Sequence, residues 1–479
     1  MVFVPVIGLE IHVQLHTRSK IFATESYRFG GSPNSHVGPL SMAHPGALPS
    51  INEACVHHAV ALGLAVHAEI DRHCRFARKN YFYPDLPKGY QLSQDRQPIC
   101  RGGYIAFPLA DGTPQRIGLE RIHLEEDAGK SIHDQDPAYS FIDLNRAGTG
   151  LVEIVTMPEL HSAEAAGALL AEVRRIVRYL GISEANMEEG NLRCDANVSI
   201  MPEGATQLGT RVEVKNINSI SFLIRAISYE IQRQTQIVGG GGRIVRETRT
   251  WDPVSQQTLP MRDKETADDY RYFPEPDLLP LAIPASLVAD LHARQPRLPY
   301  ERFVDYTQTV GVPINEALAL VEDRAFSDYY EALRAAGADP RMAANWMLGS
   351  VRTFLNEQGC TIDDMSIDPA RLAKLIALVQ EEKISHHAAK EQVFPAMLAQ
   401  PAADPPDLAR ALGVELYSQA DALQQAMADL LRQYPDEAAR YRNGKKQLAG
   451  FFVGQLMRAF QGKAHPQEVQ QVVRTMLET

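Results

Sequence analysis

Apolar and polar residues alternate along several short segments of the first 292 residues, which is the period-2 pattern of half-buried β-strands. The clearest segments of this kind are 6–15, 121–125, 151–155, 191–200 and 211–215. Two longer segments, 163–180 and 219–236, are predicted to be helices. Strands interrupted by a few helices predict an α+β fold built on a mainly antiparallel sheet.

Helical periodicity dominates the rest of the chain, most clearly in segments 316–322, 325–336 and 369–381. Prolines cluster at 274–284, and a second proline-rich segment at 400–406 has the composition of a linker. We therefore predict three domains. They are a large, mainly antiparallel β cradle domain with helices at 1–292, an all-α helical domain at 293–405 and a small C-terminal helical tail domain at 406–479.

The first predicted strand carries chemically active side chains on one face. Glu10, His12 and Gln14 alternate with apolar residues and therefore share a face, which could line a cavity while the other face packs on a core. A half-buried strand with a solvated polar face would have the same pattern. Taken alone, this segment favours the solvated face.

Glu153 is harder to explain as a solvated residue, because it lies inside the apolar segment 151–155. An unpaired carboxylate in such a place would lose its hydration at a high cost in free energy. It therefore needs a cation, a metal ion or a proton. A structural salt bridge would satisfy the same requirement.

Other predicted strands also present a polar face backed by an apolar one. If these faces converge, they form a basin of carboxylates, imidazole and basic groups, and such a basin suits Mg²⁺, which prefers oxygen ligands. Convergence is an inference that period-2 patterning does not prove. The alternating polar residues are Arg121, His123 and Glu125 in one strand, Arg193, Asp195, Asn197 and Ser199 in the next, and Arg211, Glu213 and Lys215 in the last.

The segment 78–91 holds two lysines, four aromatic residues, two prolines and a glycine, and it is predicted to be a loop. Lys79 and Lys88 could reach triphosphate oxygens as point charges. The same composition fits a well-packed Ω-loop with no ligand.

Composition excludes several classes of protein. Hydrophobic residues make up 45% and charged residues 22%, which is an ordinary globular balance. The five cysteines are scattered and form no CxxC pair, which argues against a disulfide framework. No secretory signal or membrane-spanning segment is evident, so we expect a cytoplasmic protein. The sequence contains no GxxxxGK[ST] loop, no GxSxG elbow and no Ser-Ser-Lys amidase pattern.

The formal net charge of −11 would repel nucleic acid unless the basic residues are concentrated in one place. Residues 440–466 contain no Asp or Glu and include a predicted helix at 447–461. A basic helical surface of this kind suits RNA backbone contact, although a solvated helical face would have the same composition. The basic residues of the segment are Arg440, Arg442, Lys445, Lys446, Arg458 and Lys463.

Read together, these segments resemble the GatB family, the tRNA-holding subunits of the amidotransferases that make Gln-tRNA(Gln) and Asn-tRNA(Asn). The resemblance runs from end to end of the chain. It is carried by the motifs GLEIH at 8–12, RKNYFYPDLPK at 78–88, HLEEDAGK at 123–130, DLNR at 143–146, MEEG at 187–190, RCDAN at 193–197, DYRYFPEPD at 269–277, GKK at 444–446 and GFFVG at 450–454.

The resemblance implies a division of labour within a heterotrimer. An amidase subunit releases ammonia from glutamine, and a small third subunit holds the other two together. The tRNA-holding subunit uses ATP and Mg²⁺ to phosphorylate the side-chain carboxylate of Glu-tRNA(Gln) or Asp-tRNA(Asn), and ammonia then displaces the phosphate. The cradle domain would hold ATP, metal and the acceptor end of the tRNA, and the helical and tail domains would grip the tRNA.

The resemblance also implies roles for particular residues. It makes His12, Glu126 and Glu153 the expected metal ligands, with Glu10, Glu125 and Asp195 close by. Because alternation places Glu125 and Glu126 on opposite faces, only one of the two is expected to bind the metal directly. Lys79 and Lys88 are assigned to the ATP phosphates.

Two other functions remain open at this point. A non-catalytic scaffold could present tRNA to the amidase subunit, although the Glu10 and His12 pair and the buried position of Glu153 argue against it. A metal-dependent hydrolase could use the same acids, but it would leave the basic C-terminal segment unexplained.

Overall fold

The computed structural model describes residues 2–133, 135–263, 270–416, 420–460, 464 and 466–478. The chain divides into two compact units. The first unit comprises Met1–Thr307 with Val321–Arg324, and the second comprises Gln308–Leu320 with Ala325–Thr479. Sheet dominates the first unit and helix the second, so the predicted α+β class is confirmed. The predicted boundaries near 292 and 405 stay predictions.

One large sheet organises the first unit. It is antiparallel except where β13 pairs with β14. Its strands follow the order β15-β14-β13-β12-β1-β11-β8-β6-β2, and β7 also pairs with β8. In chain order, the strands of this unit are β1 Phe3–Gln14, β2 Glu69–Ile70, β3 His73–Cys74, β4 Ala77–Asn80, β5 Tyr90–Ser93, β6 Cys100–Arg101, β7 Tyr104–Pro108, β8 Pro114–Glu126, β9 Lys130–Ile132, β10 Phe141–Asp143, β11 Gly150–Thr156, β12 Leu192–Pro202, β13 Val212–Lys215, β14 Glu247–Asp252, β15 Gln257–Asp263, β16 Phe273–Pro274 and β17 Leu281–Ala282.

Helices cover the apolar face of the sheet. The three longest are α1 Glu53–Ala65, α2 Ala163–Tyr179 and α3 Ile220–Gly239. The side chains of Asn52, Ser162 and Ser219 accept hydrogen bonds from free backbone N–H groups in the first turns and so define where the helices begin. Two shorter helices follow, α4 Ala285–Ala293 and α5 Pro299–Val304.

The core of this unit forms between the sheet and its helices. Ile7, Leu9, Ile11 and Val13 point from β1 into the core and are buried. The alternate residues of the same strand therefore emerge on the opposite face. Gly167 lets α2 pack closely on α3, since a Cβ atom there would lie 2.6 Å from the Ile224 side chain.

The second unit is helical. Its helices are α6 Ile314–Leu320, α7 Arg324–Ala335, α8 Pro340–Trp346, α9 Arg352–Gln358, α10 Pro369–Gln380, α11 His386–Ala388, α12 Phe394–Ala399, α13 Pro405–Ala411, α14 Ala420–Gln433, α15 Pro435–Arg442, α16 Ala449–Ala459 and α17 Pro466–Glu478. Shorter π- and 3₁₀-helical turns lie at Asp305–Thr309, Met347–Val351, Ile362–Asp364, Ala389–Val393 and Lys446–Leu448. The last four helices pack around a small core that includes Leu423, Phe452, Leu456 and Val469. In the described part of the chain, no helix combines the length and apolarity that a bilayer crossing requires.

The strands and helices predicted in the first unit are confirmed, with ends shifted by a few residues. The segment 78–91 differs from its prediction as a loop. It begins in β4 and ends in β5, which pair in an antiparallel hairpin, so only its middle forms a turn. The prolines and glycine lie in that turn and gave the segment its loop composition.

Glu172 on α2 is buried among apolar side chains, and its Oε2 lies 3.0 Å from the Arg175 guanidinium. Burial raises the pKa of this carboxyl from 4.5 to about 7, although Arg175 opposes the shift. Between those two pH values the folded protein retains a proton that the unfolded chain has released. Stability therefore falls as pH rises through this window.

The variant Glu172→Gln carries no titrating group at this position. We expect its melting temperature relative to wild type to increase steadily from about pH 5 to pH 8. Thermal unfolding at a series of pH values measures the difference. A difference that stays constant with pH would show that Glu172 is ionised in the fold throughout.

Candidate metal-binding and catalytic site

Three neighbouring strands place complementary side chains in one row. In the antiparallel register, His12 of β1 lies opposite Glu153 of β11, and Glu153 lies opposite His123 of β8. Directly opposed residues of an antiparallel sheet project to the same face. A carboxylate therefore lies between two imidazoles on the face that turns away from the core.

Four side chains meet at this row. The Nε2 atom of His12 lies 3.3 Å from Glu153 Oε2 and 3.7 Å from Glu125 Oε1. The Nε2 atom of His123 lies 3.4 Å from Glu153 Oε2 and 3.7 Å from Glu125 Oε2. Ser93 of β5 donates a hydrogen bond of 3.2 Å to Glu125 Oε2. Each carboxylate thus faces both imidazoles.

The electrostatics of the four groups are strongly coupled. Burial lowers the pKa of His12, but Glu153 and Glu125 raise it more, so the net pKa lies above 6.5. Burial likewise opposes the shift at His123, whose pKa is raised to about 9 mainly by Glu153 and Glu125. Burial would raise the pKa of both carboxyls, but the histidines hold the pKa of Glu125 below 4.5 and that of Glu153 well below it.

Glu126 does not join this cluster. Its Oε1 accepts hydrogen bonds from Lys88 Nζ and, at 2.8 Å, from the Leu92 backbone N–H. The carboxylate that accompanies His12 and Glu153 is Glu125, whereas the sequence prediction placed Glu126 there. Adjacent residues of β8 project to opposite faces of the strand, and the structure decides which of the two faces the histidines.

Lys88 likewise lies where its charge is already paired. It is almost fully buried and forms an ion pair with Glu126. Lys79, the other predicted phosphate ligand, lines the cavity beside His12. Burial lowers the pKa of Lys79, but Glu125, Tyr272 and Glu153 raise it further, so this lysine is held in its charged form.

A second acidic cluster lies along the same face of the sheet. Oxygen atoms of Glu10, Asp195 and Glu213 come within 4.8 Å of one another. Lys215 Nζ lies 2.5 Å from Asp195 Oδ2 and 3.4 Å from Glu213 Oε1. Asn197 donates a hydrogen bond of 2.8 Å to Glu10 Oε1. The predicted neighbours Glu10 and Asp195 thus meet each other, with Glu213 as their third partner.

Both clusters open into one cavity of about 340 Å³. We call it the metal cavity. Tyr270 and Tyr272 form part of its wall, and Lys79 Nζ lies 5.0 Å from the Tyr270 ring centroid. The mixture of both charge signs is what a cation and an anionic substrate would need in the same place. The charged residues lining the cavity include Glu10, Lys79, Asp95, Arg121, Glu153, Asp195, Arg211, Glu213, Lys215 and Arg246.

The donor set fits a divalent metal ion. One nitrogen of His12 and one oxygen each of Glu125 and Glu153 lie within 4.8 Å of one another, close enough to share an ion. Two carboxylates and an imidazole suit Mg²⁺ or Mn²⁺, and the second cluster offers oxygen donors alone. A cation at His12 would replace the imidazole proton as the partner of the two carboxylates.

Two members of the site were given no role by sequence reasoning. His123 and Glu213 both follow the strand alternation that identified their neighbours, so the signal was present. What the sequence lacked was the strand pairing that sets His123 opposite Glu153 and Glu213 opposite Asn197.

The basic residues of the C-terminal segment are exposed. Arg440 and Arg442 lie at the end of α15, Lys445 and Lys446 follow it, and Arg458 lies in the last turn of α16. The Arg442 side chain also donates a hydrogen bond of 3.2 Å to the Leu477 carbonyl. Lys463 falls outside the described residues. The helical core thus leaves most of these charges free to meet solvent or a ligand.

Comparison with known proteins identifies the family. The model described as "GatB/GatE catalytic domain" matches residues 5–289, and the model described as "GatB domain" matches residues 328–477. The chain belongs to the GatB/GatE family. The row of His12, Glu153 and His123 lies within the match to the family's catalytic domain, and the exposed basic residues lie within its second domain.

Members of the GatB/GatE family from several bacteria are similar over nearly the whole chain. Proteins named as the B subunit of aspartyl/glutamyl-tRNA(Asn/Gln) amidotransferase are 44% identical in Nitrosococcus oceani and 45% identical in Thermosynechococcus vestitus. These matches cover 99% and 98% of this chain, and 99% and 96% of the relatives. A protein of the same name in Geotalea daltonii is 46% identical over 99% of both chains.

The geometry predicts which glutamate binds metal. Glu125→Gln should weaken Mn²⁺ binding by at least about tenfold, because it removes one of the three donors. The double variant Lys88→Gln/Glu126→Gln should bind Mn²⁺ as wild type does, since both partners of the buried ion pair are removed together. Calorimetric titration with Mn²⁺ measures both.

Wild-type Mn²⁺ affinity should also increase between about pH 6 and pH 8, because His12 must lose its proton before it binds metal. Loss of binding in the double variant, with Glu125→Gln unaffected, would instead assign the metal to Glu126.

Proposed function

We propose that this chain is the carboxylate-activating, tRNA-binding subunit of an aspartyl/glutamyl-tRNA amidotransferase. Its substrates would be Glu-tRNA(Gln) or Asp-tRNA(Asn), together with ATP. The observation that carries the proposal is the convergence of His12, Glu125 and Glu153 beside Lys79 in one cavity. The names of the relatives, which share more than 40% of the sequence over its length, support the choice of substrate.

The proposed reaction has two steps. A side-chain carboxylate oxygen of the tRNA-bound amino acid attacks the γ-phosphorus of ATP, which gives an acyl phosphate and ADP. Ammonia then attacks the acyl carbon, inorganic phosphate leaves, and the amide remains on the tRNA. The first step is needed because a carboxylate is anionic and would have to expel oxide, whereas phosphate is a good leaving group.

The residues of the metal cavity have complementary tasks in the first step. His12, Glu125 and Glu153 would hold Mg²⁺, and Glu10, Asp195 and Glu213 offer further oxygen donors. Bound Mg²⁺ would neutralise phosphate charge and align the two oxygens of the transfer. Lys79 remains charged and can hold a phosphate oxygen. Arg211 and Arg246 on the cavity wall add positive charge for the same anion.

His123 would act on the ligands and not on the substrate. Its Nε2 faces Glu153 and Glu125 from the side opposite His12. A hydrogen bond from an imidazole fixes the orientation of a carboxylate and stabilises its charged form. His123 therefore keeps both carboxylates ready to bind a cation.

The proposed reaction requires partners. The chain offers no Ser-Ser-Lys amidase pattern, so ammonia would come from a separate amidase subunit, with a small third subunit completing a heterotrimer. Protein synthesis is the process that uses the product, which makes the cytoplasm the expected location. The exposed cations from Arg440 to Arg458 suit the tRNA backbone.

The variant Glu153→Gln tests the chemistry. We expect tRNA affinity to stay within about twofold of wild type and tRNA-dependent ATP consumption to fall on the order of 100-fold, since a charged ligand is lost while the shape is kept. ADP release by the assembled enzyme with Glu-tRNA(Gln) gives the rate.

Glu120→Gln is the matched control, because Glu120 lies on β8 but its side chain is 56% exposed and contacts Arg121. Equal ATP consumption by Glu153→Gln and wild type would favour the non-catalytic scaffold that presents tRNA to the amidase subunit.

The variant Lys445→Gln/Lys446→Gln tests the tRNA-binding surface. We expect weaker tRNA binding and a smaller slope of log affinity against log salt, because fewer counterions are released from the tRNA. Lys383→Gln/Lys390→Gln is the control, since these exposed lysines lie in the same unit but face acidic neighbours, Glu381 and Glu391. An unchanged salt slope for Lys445→Gln/Lys446→Gln would exclude both lysines from the contact.

A further inference from the structure

A second cavity of about 500 Å³ adjoins the metal cavity in the first unit. We call it the aromatic cavity. Its walls include Arg75, Arg96, Tyr272 and Phe273. Tyr272 and Asp95 line both cavities. A molecule seated in the aromatic cavity could therefore extend a substituent past these two side chains toward the proposed metal ligands.

The aromatic wall is built on a fixed backbone. Phe273 and Pro274 form β16, which pairs with Arg78 and Ala77 of β4. Arg78 also donates hydrogen bonds of 2.7 and 2.8 Å to the two carboxylate oxygens of Glu275. A bidentate pair of this kind holds the segment after Phe273 in one position.

Phe273 itself is unusually exposed for such a position. It keeps 44% of its surface accessible, although the Arg78 guanidinium lies 5.6 Å from its ring centroid. A phenyl ring that is held by its backbone but left open to a cavity is a stacking surface. Nucleobases stack on such rings whatever their sequence, because every base has a π-face.

The charges beside this ring favour a polyanion. Arg96 is almost fully exposed, and its Nε lies 3.8 Å from Asp95 Oδ2, too far for a strong hydrogen bond. Arg75 is exposed and has no hydrogen bond or ion pair with any of the described residues. Two exposed guanidinium groups next to a phenyl ring are the combination that proteins use to bind single-stranded nucleic acid.

We propose that the aromatic cavity binds the 3′-terminal adenosine of the aminoacyl-tRNA. The amino acid is esterified to the ribose of that adenosine, so its side chain would extend past Tyr272 into the metal cavity. The phosphates of the preceding nucleotides would meet Arg75 and Arg96 at the cavity entrance. This assignment rests on the proposed function, since it supplies the aminoacyl group that is phosphorylated there.

The adenosine of ATP is the competing occupant. ATP would bring its triphosphate to the cations of the metal cavity, among them Lys79, Arg211 and Arg246. Those groups lie deeper than the exposed Arg75 and Arg96, which suit a chain that continues into solvent. We therefore assign the aromatic cavity to tRNA, and a change in ATP binding alone would overturn this assignment.

The test compares Phe273→Ala with Phe141→Ala in the assembled enzyme. Phe141 is a matched control, because it is 43% exposed and lies on β10, in a different sheet from Phe273. For Phe273→Ala we expect the KM for Glu-tRNA to rise on the order of tenfold, with the KM for ATP unchanged. Phe273→Trp keeps a stacking surface and should stay close to wild type. Phe141→Ala should change neither constant.

A binding measurement separates this assignment from the chemistry. A tRNA whose terminal adenosine is replaced by 2-aminopurine should lose fluorescence on binding wild-type enzyme, because the base stacks on Phe273. The loss should disappear in Phe273→Ala and persist when ATP is added. In Arg75→Gln/Arg96→Gln, which alters only exposed charges, affinity and its salt dependence should both decrease.

The outcomes distinguish the two proposals. A rise in the KM for ATP instead of Glu-tRNA, or equal quenching in Phe273→Ala and wild type, would overturn the tRNA assignment while leaving the phosphorylation chemistry intact. Quenching that depends on Phe273 in an enzyme that consumes no ATP with Glu-tRNA would reject the proposed function and keep the nucleotide site.

Discussion

The antiparallel register of β1, β11 and β8 is the constraint on which the candidate site depends. It sets Glu153 directly between His12 and His123, so that three strands distant in sequence contribute to one row. A shift by one residue would turn the same side chains into the apolar core. The buried residues that alternate with this row, such as Ile11 and Ile154, hold the register because they fill the core beneath α1, α2 and α3. The chemistry of the site thus rests on ordinary hydrophobic packing.

The site concentrates charge where charge is costly. Glu125 and Glu153 are both almost fully buried, and each is stabilised by the same two histidines. Such groups lose hydration on folding, and strong mutual attraction is needed to offset the loss. The arrangement exchanges one kind of cation for another with little change in shape, since a metal ion can take the position of a proton. Glu126 and Lys88 illustrate the opposite outcome, because their charges neutralise each other and leave neither group available to a ligand.

Charge is also distributed between the two units of the chain. The protein as a whole carries a formal charge of −11, which opposes nucleic acid at long range. The exposed cations from Arg440 to Arg458 and the guanidinium groups of Arg75 and Arg96 are local exceptions. Contact with RNA is governed by such local surfaces once partners are within about 8 Å, the distance over which salt screens charge. An acidic protein can therefore bind tRNA at a few defined places and release it readily elsewhere.

The sequence by itself determined the elements, the α+β class and the chemical types present on each strand face, because periodicity is a local property of the chain. It also identified Glu10, His12, Glu153 and Asp195, whose positions in alternating or apolar segments are visible without a structure. Only the tertiary structure decided which strands are neighbours and in which register. That decision selected Glu125 over Glu126, added His123 and Glu213, and joined Lys88 to Glu126. Strand pairing depends on contacts between residues far apart in sequence, and no local pattern encodes them.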